Sequence, residues 1–99
     1  SPFGRAISEG LAELAALERQ LGPEDGALLP LLVELGAVEE LAGDVGAAIA
    51  SQERMIAISR KVGMAPEEMA RLHQRLARLY RRVGRAADAD EAERVAQGR

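Results

Sequence analysis

Four arginines, Arg71, Arg75, Arg78 and Arg82, recur at spacings of four, three and four residues, which on an α-helix places them on one face. Gln74, Arg81 and Arg85 flank them, and no acidic residue occurs between Met69 and Arg85. A guanidinium is a planar fork of donors matched to a carboxylate, so the chemistry on offer is capture of acidic groups. The plainer alternative is a solvated helix exterior. Its arginines would pair with Asp88, Asp90 and Glu91 or with the acidic first half of the chain, and surface pairs of that kind contribute little.

Bond-making chemistry has little to work with. The 99 residues include one His, one Tyr and no Cys. There is no glycine-rich phosphate loop and no pair of metal-ligating residues at a diagnostic spacing. His73 lies beside Leu72 and one turn from Met69 and Leu76, which reads as a helix-edge or groove residue, and Ser8, Ser51 and Ser59 have no evident base to activate them. A protein that is not an enzyme is therefore expected, without metal or cofactor. The lack of cysteine excludes disulfides and permits a reducing compartment, so a cytoplasmic location is expected. No apolar run approaches the roughly 20 residues of a membrane span, and no membrane partner is expected. The formal charge of −3 hides an asymmetry: residues 1–52 carry nine acids and two bases, residues 53–99 seven acids and eleven bases. The halves can attract opposite partners, or each other. Nucleic acid is not expected, because the chain is net negative and no aromatic side chains stand among the arginines for bases to stack on.

The elements that must position these residues are helices throughout. Ala, Leu, Glu and Arg dominate, and β-branched and aromatic residues are sparse. Gly22-Pro23, Gly43-Asp44, Gly63-Met64-Ala65-Pro66 and Gly84-Arg85 interrupt the apolar pattern, which predicts five helices near 5–21, 24–42, 44–62, 66–83 and 85–97. Residues 1–4 are expected to be a tag or a disordered start, followed by one domain over 5–99. Pro23, followed by Glu24 and Asp25, and Pro66, followed by Glu67 and Glu68, suit a first helical turn. Pro30 would then fall inside the second helix at a cost of roughly 3 kcal/mol, unless that helix starts nearer Ala27 or bends. Connections this short make sequential helices antiparallel neighbours.

The chain also repeats itself at an offset of 41 residues: Leu21-Gly22 falls on Val62-Gly63, Leu35 on Leu76, Gly43 on Gly84 and Ala48 on Ala89. The segment from Leu76 through Tyr80, Gly84 and Ala89 resembles the first helix, turn and small-residue contact of a tetratricopeptide repeat. The segment from Met55 to Gly63, followed by Pro66-Glu67, resembles the joint of its roughly 42-residue, kinesin-light-chain-like variety, which is also common in bacterial repeat proteins. The resemblance implies a short right-handed α-solenoid of two and a half repeats, with 5–21 as the second helix of a partial repeat and 24–62 and 66–97 as repeats. It implies close helix crossings at the small residues Gly36, Ala48, Ala77 and Ala89, and turns at Gly43 and Gly84. Glu39 stands where the counterpart of Tyr80 would be aromatic, and Gln52, Glu93 and His73 also depart from the pattern.

In this family the first helix of each pair lines the concave surface. The resemblance therefore assigns Arg71, Gln74, Arg75, Arg78, Arg81 and Arg82 to that surface, with Val33, Ala37, Glu40 and Leu41 from the preceding repeat. Val33 and Ala37 break the family's carboxylate clamp, so capture of chaperone tails is not expected. The second helix has more apolar residues than one core needs, leaving Leu29, Val33 and Leu41 as an exposed patch. The expectation is a protein-interaction module that binds an acidic and apolar segment in its groove. The alternative is self-association, with a homodimer formed through the same patch or through exposed array ends.

Overall fold

A computed structural model describes residues 1–98 as five α-helices: α1 Gly4–Leu21, α2 Leu29–Leu41, α3 Val45–Val62, α4 Pro66–Arg82 and α5 Ala86–Ala96. The protein is all-α, and there is no strand among the described residues. Each helix packs on the next, most extensively α2 on α3 and α4 on α5.

The termini show why the chain breaks where it does. Pro66 opens α4, Glu67 and Glu68 lie in its first turn and Arg81 and Arg82 in its last, so both ends of the helix dipole are complemented. Asp44 caps α3, its carboxylate accepting from the Ala47 N–H at 3.1 Å. Gly43 and Gly84 adopt φ values of 83° and 76°. Directly after them, the Asp44 N–H donates to the Glu39 carbonyl at 3.0 Å and the Arg85 N–H to the Tyr80 carbonyl at 2.9 Å. The same left-handed closure thus ends the first helix of both pairs, 41 residues apart.

Two helix starts differ from the first expectation, and the second lies close to the alternative start near Ala27. The α1 helix already begins at Gly4, whose N–H donates to the Ser1 carbonyl at 3.1 Å, so the first residues form a turn that leads into it. The second helix does not start at Glu24. Residues 23–25 lie outside it, and Asp25 instead accepts from the Ala27 N–H at 2.8 Å to cap a single 3-10 turn, Gly26–Leu28. Pro30 is the reason. A helix running from residue 24 would bury that proline's missing N–H and its ring in the interior, whereas a start at Leu29 leaves Pro30 in the first turn, where no intrahelical donor is needed.

Burial repeats at the same offset. Leu32 and His73, Leu35 and Leu76, Gly36 and Ala77, Glu39 and Tyr80, Ala48 and Ala89, and Ser51 and Ala92 are buried in both pairs. Two clusters form the core, one around Leu14, Leu28, Leu32, Leu35, Met55 and Ile58, the other around Ile49, Ile56, Leu76, Leu79, Tyr80 and Ala89. The α3 helix serves both, with Met55 and Ile58 on one side and Ile49 and Ile56 on the other, and Leu72 of α4 packs against both.

The two oppositely charged halves also meet. Glu18 pairs with Arg54, Glu24 with Lys61, and Glu40 with both Arg75 and Arg82.

Candidate functional site

The backbones of α2 and α4 stay apart, and side chains span the gap between them. Arg75 donates to one oxygen of Glu40 at 2.8 Å and Arg82 to the other at 2.9 Å. This two-armed bridge forms part of the wall of an open groove of about 540 Å³ whose lining is completed by Ala37 and Leu41. Val33, one turn before Ala37 on the same face, is 54% exposed, and Leu41 is 69% exposed. One face of α2 therefore presents an apolar stripe at a spacing of four residues beside the arginines of α4.

The arginines divide into four groups. Arg75 and Arg82 face α2 and are held by Glu40. Arg81 turns the other way, bridging Asp90 at 2.9 Å and Glu93 at 2.9 Å on α5. Arg85 pairs with Asp88 and lies 4.5 Å from the centre of the Tyr80 ring. Arg71 and Arg78 are exposed and have no ion-pair partner among the described residues, and Gln74 is exposed beside them. Of the expected groove arginines, then, two share the single Glu40 carboxylate, one is bridged to α5, and two have no ion-pair partner among the described residues. Leu29 leaves the apolar stripe. It is half-buried against the first core cluster, because α2 begins there and turns its opening residue inward.

Buried polar groups whose partners the sequence does not reveal lie outside the groove lining. Glu39, in place of the expected aromatic residue, is buried and accepts from the Ser51 hydroxyl at 2.7 Å. Ser51 thus does have a carboxylate beside it, in contrast to the expectation, and the pair satisfies a buried acid. Burial raises the Glu39 pKa, the Ser51 hydrogen bond partly opposes the rise, and Asp44 adds to it. In the second pair the counterpart Tyr80 donates to Glu53 at 2.5 Å, and burial together with that bond pushes its pKa up to about 12. His73 is buried and lines shallow grooves beside α5, which fits the groove alternative rather than the helix edge, and its Nδ1–H donates to the Met69 carbonyl at 2.9 Å. Gln52 donates to the Leu72 carbonyl at 3.0 Å and so pins α3 to α4. The Ser59 hydroxyl is fully buried without a partner. The sequence signal for these groups was their polarity at positions where the apolar rhythm demanded a large hydrophobic residue.

No cluster of three or more His, Cys, Asp or Glu able to hold a metal occurs among the described residues, and none of their helices is long and apolar enough to cross a membrane. Comparison with protein families, with curated proteins and with solved structures finds no match for this chain.

Proposed function

We propose that this protein is a tetratricopeptide-like helical repeat module that binds a protein or peptide segment of mixed apolar and acidic character in the groove between α2 and α4, without catalysing a reaction. The observation that carries the reading is a juxtaposition: Ala37 and Leu41 line the groove opposite Arg75 and Arg82, Val33 continues the exposed α2 face by one turn, and Arg71 and Arg78, exposed and without an ion-pair partner among the described residues, share the helical spacing of Arg75 and Arg82 on α4. Apolar side chains anchor a ligand by burial, and free guanidinium groups orient it through charge-assisted hydrogen bonds. A solvated exterior would need neither an apolar wall nor a row of cations held in register with it.

The test is binding of a fluorescein-labelled amphipathic peptide of alternating Leu and Glu, followed by anisotropy at low and physiological salt. Arg71→Gln combined with Arg78→Gln should weaken binding most at low salt, where the Debye length is longest, while helical circular dichroism is unchanged. Equal affinity of parent and variant at every ionic strength would refute the role of the arginines. The second reading, self-association through the same apolar wall, is favoured by the exposure of Leu41 and Val33. It predicts a concentration-dependent mass in light scattering that Val33→Ser with Leu41→Ser abolishes. A protomeric partner would be another copy of this chain; nucleic acid, membrane and cofactor have no part in either reading.

A further inference from the structure

The two helix pairs are built alike, and comparing their corresponding outer faces, on α3 and α5, shows where they differ. The α3 helix holds α4 through Ile49 and Ile56, both buried in the second core cluster, and through Gln52, whose amide reaches the Leu72 carbonyl. A further pair stacked on α5 in the same manner would have to be held by the residues 41 positions on, which are Asp90, Gln97 and Glu93. Two isoleucines are thus replaced by an acid and an amide, both exposed.

The arginine of this face confirms the difference in kind. Glu40 reaches forward from the first pair to Arg75 and Arg82 of the second. Its counterpart Arg81 folds back onto its own pair, with one guanidinium shared between Asp90 and Glu93. The side chain that would bridge to a following helix is instead spent within α4 and α5.

We infer that the outer face of α5, formed by Asp90, Glu93 and the C-cap residue Gln97 with Arg81 laid across the two acids, is a polar cap: neither a further helix pair nor a second copy of this chain docks on it. Stacking there would have to strip water from Asp90, whose side chain is 69% exposed, and break a three-membered ion network, while the exposed Ala86, counterpart of Val45, offers only a methyl group in return. The inference goes beyond the groove-binding reading and is independent of it, since it concerns the other side of α4 and α5.

The test copies the stacking face of α3 onto α5. Asp90→Ile, Glu93→Gln and Gln97→Ile together should convert the protein to a species whose mass rises with concentration in light scattering, with helical content retained. A charge-removal control, Asp90→Asn with Glu93→Gln, should leave the mass of the parent. If the triple variant fails to fold, Asp90→Ile alone, at an exposed position, should still increase association. Hydrogen exchange of the parent supplies the second readout: α5 amides should exchange at the same rate at dilute and at high protein concentration. A folded triple variant with the parent's mass, or concentration-dependent protection of α5 in the parent, would overturn the assignment.

Discussion

Replacing Glu40 with Gln should move stability and binding in opposite directions. In the folded protein this carboxylate neutralises half of the Arg75 and Arg82 pair, and both bridges are partly exposed, so each contributes about 0.2–1 kcal/mol to stability. Their loss should therefore lower the unfolding free energy by roughly 0.5–2 kcal/mol, read as a shift of the urea midpoint without a change in slope. An incoming acidic ligand gains. With Glu40 gone, a ligand carboxylate ~6 Å away escapes a repulsion of about 0.7 kcal/mol through a water-like medium and about 2.8 kcal/mol at an effective dielectric of ~20. It also meets two arginines without a competitor. Affinity for the Leu-Glu peptide should rise by roughly three-fold to a hundred-fold at low salt, and the gain should shrink as salt screens it. Glu34→Gln, an exposed change on α2, supplies the charge-matched control. Refutation is simple: an E40Q protein that is less stable and binds the acidic peptide no better than the parent would mean that Glu40 only ties α2 to α4 and does not compete for the groove.

Three further expectations follow from buried polar groups. Tyr80 is the one tyrosine in a chain without tryptophan, so absorbance near 295 nm reports its ionisation alone, and the midpoint should lie near 12 in the folded protein, with Glu53→Gln lowering it. Because the unfolded phenol ionises near ~10, the native state retains a proton that the unfolded state loses, and stability should fall by up to about 2.7 kcal/mol as pH rises between those values. Glu39 has a raised pKa for the same kind of reason, so stability should fall as pH rises from about 4.5 through its folded value; Glu39→Gln should flatten that limb and leave the protein at least as stable at pH 7, as measured by urea unfolding across pH. Ser51→Ala should cost about 1–3 kcal/mol by leaving the Glu39 carboxyl unpaired, whereas Ser59→Ala, which removes a hydroxyl that has no partner, should be neutral or stabilising; equal losses in the two thermal melts would contradict the hydrogen-bond assignment.

How much of this was legible in the sequence depended on whether the cause was local. Pro66 with its two acids marks the start of α4 because every group involved lies within one turn. Pro23 carries a similar local signature, yet it opens no helix, because Pro30 seven residues on excludes the longer helix and only the whole segment reveals the conflict. The helix count and the buried small residues at 36, 48, 77 and 89 follow from a periodicity that covers nearly the entire chain. The groove was legible only in part. Spacing along α4 puts Arg71, Arg75, Arg78 and Arg82 on one face, but pairing of Arg75 and Arg82 with Glu40 joins residues 35 and 42 positions apart, which no local pattern reports. The same holds for Glu39. Its misfit with an aromatic site was visible, and its partner Ser51 became visible only when α3 was folded against α2.

The dual contact of Leu72 bears on how the molecule comes apart. Its side chain packs against both core clusters while its carbonyl accepts from Gln52 of α3, so loosening either helix pair strips support from the same residue. In a linear array, coupling between neighbouring units is set by their shared interface, and a strong interface merges their melting into a single transition. Part of that coupling runs through Leu72, beside the α3 residues that serve both clusters. Truncating Leu72 should weaken the link between the two helix pairs, and amide exchange should then show the opening free energies of α1 and α2 falling further below those of α4 and α5 than in the parent.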